Sequence, residues 1–582
     1  MRPIRHRLAR LASFLALALW APTSLAAAAD APRLHLEPFI FEVGDQRVEA
    51  ELGELRVPEN RATDGSRAIT LRFVRFRATG ARPGSPIVYL AGGPGGSGIG
   101  TAYGTRFPLF MALREHGDVI ALDQRGTGVD PRTDDDDPPT DCDEEFLVDP
   151  TKPLDRGAGG AAMADAVRRC AARLARDGFD LTGYTTRESA ADLEDLRIAL
   201  GAEKLTLWGI SYGTHLSLAA LKAFPASIER VILAGIEGPD ETYKLPSDQQ
   251  ALLEEIASLA ARQGVPDLLA SIRDVLRALE AGPKVVELTH PTNGRTIPVA
   301  VGPLDLQAVL AGMLTGPETF AVMPDFVTRL ERGDWTALAL QAARLRIGEA
   351  PLAMSVAMDC ASGITAERRA RIAAEARETL LGDAINLPFP EICAGVSVPD
   401  LGDEFRAPVR SEVPALLISG TLDGRTRPRQ AEALALGMPN AVHLVIEGAG
   451  HSDPLFLSSP KILESMHRFL RGEAIAEHRI ELPAVTFVAP RAVVELPVAT
   501  LERYVGEYRL PEGGVRRVLR AGSVLYTLRE GGQPFAIRPS SETDFFYEGT
   551  PSSIRFELDA RGGVAAMLFR PGDGSEVRCP RQ

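Results

Sequence analysis

The segment from Leu205 to Ala220, LTLWGISYGTHLSLAA, constrains the fold of this chain most strongly. A short apolar run leads into Gly209-Ile210-Ser211-Tyr212-Gly213, and a helix-forming run follows. A strand, a sharp turn and a helix around G-x-S-x-G make the setting of a nucleophile elbow, where glycines let crowded backbones approach. The pattern predicts Ser211 as a nucleophile, with the Tyr212 N–H stabilising negative charge at the helix start. The alternative is a chance match, because the chain contains 54 glycines.

Length and composition indicate a globular protein with more than one domain. The chain has 582 residues, of which 45% are hydrophobic and 24% are charged. Its net charge is −14 at pH 7, and no basic cluster interrupts the folded part, so we expect no nucleic-acid partner. Beyond the N-terminus no apolar run approaches the roughly 20 residues that a membrane helix needs, so no transmembrane segment is expected.

The first 29 residues have the features of a signal peptide. Four arginines lie within the first ten residues, a short apolar core runs from Leu11 to Ala21, and Ala26 to Ala29 offers small-x-small cleavage sites. We therefore predict that the protein is secreted or periplasmic.

Export to an oxidising compartment changes the interpretation of the five cysteines. Cys142 with Cys170, and Cys360 with Cys393, are predicted to form two disulfides that close local loops, which leaves Cys579 over. The alternative is that all five are reduced and buried.

Strands that alternate with helices predict an α/β fold with a mostly parallel sheet and helices on both faces. A hairpin is expected over 52–78. Apolar strands follow at 86–91, 119–122, 205–208, 231–234, 415–419 and 442–446.

A glycine-rich loop, Gly92 to Gly98, follows the strand 86–91. A phosphate loop would need a Gly-Lys-Ser/Thr ending, which is missing, so we favour an oxyanion loop whose backbone N–H groups approach a substrate carbonyl. Asp123 and Arg125, after the next strand, are interpreted as loop-fixing residues.

Two regions break the alternation. Residues 245–395 are mostly helical around one hairpin with Asn293-Gly294 as its turn, which indicates an inserted cap. From about 485, six short strand candidates indicate a small antiparallel barrel or sandwich. The predicted domains are a signal peptide (1–29), a core in two parts (30–242 and 399–480), a cap (243–398) and a β domain (498–582).

The partners of Ser211 are expected at the ends of two later strands. Asp423 and His451 each follow a strand, and the order Ser, Asp, His is that of α/β-hydrolases. His451 would take the proton of Ser211, and Asp423 would orient the imidazole. His215, on the elbow helix, is expected to pack against the sheet, and Asp453 is the rival acid.

The chain resembles the prolyl and tripeptidyl aminopeptidases, which are serine exopeptidases of the α/β-hydrolase fold. The resemblance covers roughly residues 45 to 475 and is greatest to the secreted tripeptidyl branch. It is carried by LAGGPGGSG (90–98), DQRGTG (123–128), the elbow and its approach (188–217), SGTLDGRTRP (419–428) and GAGH (448–451). Ala91 replaces the histidine usual in single-domain prolyl enzymes, which leaves the role of the backbone intact.

The resemblance implies roles for further residues. Gly93 and Tyr212 would supply the oxyanion N–H groups, and Cys360 and Cys393 match a cysteine pair at the end of the cap. The family's cap carries carboxylates that bind the α-amino group of the substrate, and Glu237 and Asp359 are the candidates here.

The function expected from these observations is an exported aminopeptidase that releases N-terminal proline or short peptides. Its partners would be peptides with a free N-terminus, and neither a cofactor nor a metal is expected. Two alternatives remain open. One is an esterase or other acyl hydrolase, since one triad serves both bond types. The other is a non-catalytic binding protein with the hydrolase fold.

Overall fold

A computed structural model describes residues 33–582 except 129, 133–137, 291–293, 490, 512, 530–531, 533, 548–549 and 572–573. The expected signal peptide and Asn293 of the expected cap turn therefore lie outside the described residues. No helix within the described part of the chain is long and apolar enough to cross a membrane.

A ten-stranded sheet forms the centre of the molecule. In spatial order its strands are Leu34–Val43, Gln46–Pro58, Ala68–Phe76, Val119–Leu122, Ile87–Leu90, Leu205–Ser211, Ile228–Ile236, Ala415–Gly420, Ala441–Glu447 and Arg479–Glu481. The first three pair antiparallel, and the remaining seven run parallel to one another. Apolar runs such as Val119–Leu122 are buried at every position, because helices cover both faces of the sheet. The predicted α/β-hydrolase fold is confirmed.

Helices of the hydrolase core connect these strands. They are Gly98–Ala102, Phe107–Leu113, Thr186–Ala199, Tyr212–Ala223, Gly402–Arg406, Pro428–Ala435, Pro454–Leu457 and Pro460–Leu470. Thr185 caps the helix Thr186–Ala199 by accepting the N–H of Glu188, a standard N-cap interaction.

A mainly helical cap lies between the strands Ile228–Ile236 and Ala415–Gly420 and has its own apolar core. Its helices are Pro246–Ala261, Leu268–Glu280, Pro303–Met313, Pro317–Phe320, Met323–Glu331, Thr336–Arg344, Ala353–Ser362 and Ala366–Glu375. The expected hairpin pairs Lys284–Thr289 with Thr296–Val301.

One long helix, Arg156–Arg176, was not anticipated from the sequence. It packs against the end of the cap, and the short strand Glu145–Leu147 pairs with Ile347–Glu349 in the same region. Its buried side is made mostly of glycine and alanine, so its apolar stripe is weak.

Both predicted disulfides are present. Cys142–Cys170 joins this long helix to the loop before it, and Cys360–Cys393 joins the helix Ala353–Ser362 to the last turn of the cap. Cys579 lies outside both disulfides and is buried in the core of the tail.

The tail forms a separate eight-stranded antiparallel sheet. After the helix Val498–Glu502, its strands are Gly506–Arg509, Val515–Ala521, Val524–Arg529, Phe535–Pro539, Asp544–Tyr547, Ser553–Leu558, Val564–Arg570 and Val577–Pro580. A bridge between Tyr508 and Arg581 joins the first strand to the end of the chain, which nearly closes the sheet into a barrel. All six strands expected here are present, and the two at the closure were not foreseen.

Candidate active site

The elbow holds Ser211 in a conformation that residues other than glycine seldom adopt, with φ 54° and ψ −124°. Both flanking glycines are sterically required. A Cβ on Gly213 would lie 2.0 Å from the carbonyl oxygen of Leu90, and one on Gly209 would lie 2.5 Å from that of Gly213. The strand Leu205–Ser211 and the helix Tyr212–Ala223 can therefore cross this closely only with glycine at both sites.

The glycine-rich loop lies directly against the nucleophile. A Cβ built on Gly92 would come within 3.0 Å of the Cβ of Ser211. Buried Asp123 anchors this loop, because its Oδ1 accepts hydrogen bonds from the Ser97 hydroxyl at 2.7 Å and the Ile99 N–H at 3.1 Å. Burial raises the pKa of Asp123 to about 6 despite these hydrogen bonds. Asp123 therefore fixes a loop, as expected.

Arg125 likewise fixes its surroundings. Its fully buried guanidinium forms a two-point ion pair with Asp192, at 2.8 and 2.7 Å, and donates to the backbone oxygens of Glu59 and Gly183. This pairing joins the loop after the strand Val119–Leu122 to the helix that precedes the elbow strand.

Asp423 and His451 are brought together at the ends of their strands. Asp423 Oδ2 lies 2.8 Å from Nδ1 of His451, and Asp423 is fully buried. Its Oδ1 also accepts the backbone N–H groups of Arg425 and Thr426, at 2.7 and 2.8 Å. Burial alone would raise the pKa of Asp423, but His451 and these hydrogen bonds outweigh it, so the pKa lies below its usual value. Asp423 is therefore an ionised acceptor for the imidazole.

The His451 ring lies beside the strand Ile228–Ile236, which pairs with the elbow strand. A Cβ on Gly235 would lie 3.1 Å from Cε1 of His451, and the next residue, Ile236, is the register partner of Ser211. Among the described residues, no hydrogen bond yet joins Ser211 to His451. Contacts of this kind often tighten only when substrate binds.

The rival residues have other partners. Asp453 accepts hydrogen bonds from the side chains of Arg106, at 2.7 Å, and Thr105, at 2.5 Å. His215 is buried on the elbow helix, with its ring nitrogens 3.1 Å from the Gly238 carbonyl oxygen and 3.3 Å from the Ser362 hydroxyl. Both residues are thus engaged in holding the fold.

The two expected oxyanion donors flank Ser211. Tyr212 is the first residue of the elbow helix, so its N–H has no acceptor within that helix. Its buried side chain is fixed by contacts of its hydroxyl with Thr186, at 2.9 Å, and Met358, at 3.0 Å. Gly93 follows Gly92 in the adjoining loop and has φ 119°, which favours glycine.

The two candidate carboxylates have different surroundings. Glu237 is buried and forms an ion pair with Lys244 at 2.5 Å. Asp359 is partly exposed, and its carboxylate has no hydrogen-bond or ion-pair partner among the described residues. Burial first, and the charge of Glu237 second, raise the pKa of Asp359 well above its usual value. The two acids therefore interact electrostatically.

Sequence reasoning missed four residues at this site. Thr426 donates its hydroxyl to Asp423 Oδ2 at 2.7 Å, and Lys244 neutralises Glu237. Ser355 donates to the backbone oxygen of Pro94 at 2.6 Å, which ties the cap to the glycine-rich loop. Arg425 borders a cavity of about 240 Å³ and interacts with Asp359 through its charge. Only Thr426 and Arg425 had a sequence signal, their position directly after the catalytic-acid motif.

Comparisons with known proteins agree with this arrangement. The family model described as "alpha/beta hydrolase fold" matches residues 85–284, and that described as "TAP-like protein" matches residues 382–476. The two matches contain Ser211, Asp423 and His451.

Two curated relatives are peptidases by name. Serine protease Hip1 of Mycobacterium tuberculosis is 30% identical over 258 residues, which are 42% of this chain and 47% of that protein. Tripeptidyl aminopeptidase of Streptomyces lividans is 27% identical over 321 residues, which are 50% of this chain and 55% of that protein. The chain thus spans about half the length of the curated relatives it matches.

Among solved structures, proline iminopeptidase of Mycobacterium smegmatis is 17% identical with a TM-score of 0.33, covering 75% of this chain and 98% of that one. So low a score adds nothing to the fold described above.

Proposed function

We propose that this chain is an exported serine aminopeptidase, because it belongs to the α/β-hydrolase family of the prolyl and tripeptidyl aminopeptidases. It releases N-terminal proline or short peptides from substrates with a free N-terminus. The proposal is supported by two carboxylates, Glu237 and Asp359 of the cap helix Ala353–Ser362, of which Asp359 has no ion-pair partner among the described residues.

Ser211, His451 and Asp423 carry out the chemistry. The Ser211 hydroxyl attacks the scissile carbonyl while His451 takes its proton, and Asp423, which bonds Nδ1, stabilises the imidazolium. His451 then protonates the leaving amine, and water releases the acyl group by the reverse sequence. The N–H groups of Gly93 and Tyr212 stabilise the tetrahedral oxyanion.

The charges around Glu237 and Asp359 are the basis for proposing that the enzyme recognises the α-amino group of its substrate. Glu237 and Asp359 supply two negative charges when ionised, and Lys244 pairs with Glu237. Lys244 and Arg425 lower the pKa of Asp359, but burial and the charge of Glu237 outweigh them, so its charged form is only partly compensated. A substrate α-ammonium group would pair directly with Asp359, which no described cation does, whereas an ester without an amine would not. This imbalance favours an aminopeptidase over a general esterase.

Asp359 is the better candidate for direct contact with the ammonium group. Its helix, Ala353–Ser362, also presents Met358 to the Tyr212 hydroxyl, so it lies over the elbow. Glu237 already pairs with Lys244, so it would attract the ammonium group only through its longer-range electrostatic field, in addition to that of Asp359.

Turnover of matched chromogenic peptides with free and acetylated N-termini tests this proposal. The free-amine peptide should be cleaved with a much higher kcat/KM, and Asp359→Asn should remove most of that preference. Ser211→Ala, which should abolish turnover of both, controls for contaminating peptidases. Equal turnover of the two peptides by the wild-type protein would instead identify an acyl hydrolase without amine recognition.

A further inference from the structure

The tail barrel contains a buried arginine without an acidic partner. Arg516 is only 6% exposed. It lies on the strand Val515–Ala521 two residues before Val518, a residue of the tail's apolar core, so both side chains point into the barrel. Within the described part of the chain, no carboxylate forms an ion pair with Arg516. Burying a cation without an ion pair is costly, so the described residues leave the charge of Arg516 without a paired carboxylate.

The guanidinium group is held in place but is incompletely hydrogen-bonded. One terminal nitrogen donates to the Tyr547 hydroxyl at 2.8 Å, and the group lies 4.4 Å from the centre of the Phe569 ring. Thr527 is 2.9 Å from the same Tyr547 hydroxyl and fixes it from the other side. The buried Nε of Arg516 has no hydrogen-bond partner. A fixed cation with an unused donor is the arrangement that receives an anion.

A second arginine, Arg529, lies on the same face of the sheet as Arg516. Arg529 is the register partner of Arg516 on the neighbouring strand, so the two side chains lie on one face of the sheet.

These residues border a cavity of about 330 Å³ between strands of the barrel. Its walls combine aromatic and hydroxyl groups. They include Phe535, Tyr547, Phe569, Thr550 and Ser552. The volume suits a ligand the size of one amino acid, and barrel mouths are common places for such ligands.

We propose that this cavity in the tail barrel binds an organic carboxylate, with Arg516 pairing the carboxylate and the aromatic walls contacting an attached apolar group. The C-terminus of a peptide with an apolar last residue has this chemistry. The site is independent of Ser211 and therefore of the proposed peptidase activity.

Calorimetric titration of the full-length protein tests the site with three probes: N-acetyl-phenylalanine, its C-terminal amide and inorganic phosphate. We expect N-acetyl-phenylalanine to bind about tenfold or more tightly than the amide, because only the carboxylate pairs with the guanidinium. It should also bind more tightly than phosphate, which makes no apolar contact.

Two variants on one strand localise the binding. Arg516→Met should abolish it. Arg517→Met is the matched control and should keep it, because Arg517 is exposed on the opposite face and pairs with Glu507. Equal affinity for acid and amide, no binding, or full binding by Arg516→Met would overturn the proposal, and phosphate binding as tightly as the acid would reduce the site to a simple anion site. The acid–amide comparison uses only unaltered protein, so it stands even if Arg516→Met fails to fold.

Discussion

Ser211 occupies its strained backbone conformation because strand, helix and glycine-rich loop all pack around it, and its reactivity depends on partners distant in sequence. We predict that Ser211→Ala and His451→Ala each lower kcat by about 10⁴-fold or more, and that the double variant is little worse, since triad members act as a unit. Circular dichroism should show an intact fold for all three.

The acid of the triad is tested by a matched pair of substitutions. Asp423→Asn should lower kcat by about 10⁴-fold, because the amide favours the wrong imidazole tautomer. Asp453→Asn should leave kcat close to wild type, because Asp453 bonds Arg106 and Thr105 rather than His451. The opposite result for this pair would assign the acid to Asp453.

The raised pKa of Asp359 gives a pH dependence with a defined sign. Because its folded-state pKa lies above the usual aspartate value, Asp359 takes up a proton at a higher pH than an ordinary aspartate as the solution is acidified. The protonated acid cannot pair with an ammonium group. We therefore predict that the kcat/KM ratio of free-amine to acetylated peptide falls on acidification, and that Asp359→Asn flattens this profile. The ratio cancels steps common to both substrates, so a flat wild-type profile would exclude Asp359 as the amine site.

At the scale of single elements, the helix Ala353–Ser362 contributes to the site in two ways. It carries Asp359, and its Ser355 bonds the backbone of the glycine-rich loop. The disulfide Cys360–Cys393 fixes its end.

We predict that replacing both Cys360 and Cys393 by serine raises KM for free-amine peptides and lowers the free energy of unfolding by about 2–4 kcal/mol. Replacing Cys142 and Cys170 is the matched control, because that bridge closes a loop of similar length but has neither cysteine on the helix Ala353–Ser362. It should lower stability by a similar amount but raise KM less. Equal effects of both replacements on KM would show that the helix does not position the amine site.

Comparing the observed helices and strands with the expected ones shows which features could be predicted from the sequence. The elbow and the buried strands were predicted because each depends on a local pattern, and both disulfides were predicted from the expected export and the modest separation of the cysteine pairs. The helix Arg156–Arg176 was missed because alanine and glycine give it little apolar periodicity. The pairing of Lys244 with Glu237, and the lack of an ion pair at Asp359 among the described residues, were not predictable, because they depend on how the cap folds over the core.

At the scale of the whole molecule, the tail is attached to the cap through a few polar contacts. Arg491 forms an ion pair at 3.0 Å with Asp325, a cap residue that is only 1% exposed, and lies over the Phe546 ring of the barrel. Val485 and Phe487, by contrast, pack within the cap core, so the cap reaches further along the chain than the last core strand.

We predict that a chain ending at Val488 folds and cleaves small peptides within about tenfold of the full-length kcat/KM, because no group proposed to stabilise the transition state is removed. This shortened chain should be less stable than the full-length protein, because buried Asp325 no longer forms its ion pair with Arg491. A chain ending at Pro483 is the control and should be less stable still, because it also lacks Phe487. A Val488 chain that folds but is inactive on small peptides would show that the barrel helps to build the active site.

The most direct test of the proposed function is digestion of a synthetic peptide library, read by mass spectrometry, with Ser211→Ala protein as the control. We predict that proline or short peptides are released only from free N-termini, and that acetylated copies and the Ser211→Ala digest remain uncut. Cleavage inside acetylated peptides, or the same products from Ser211→Ala protein, would contradict it.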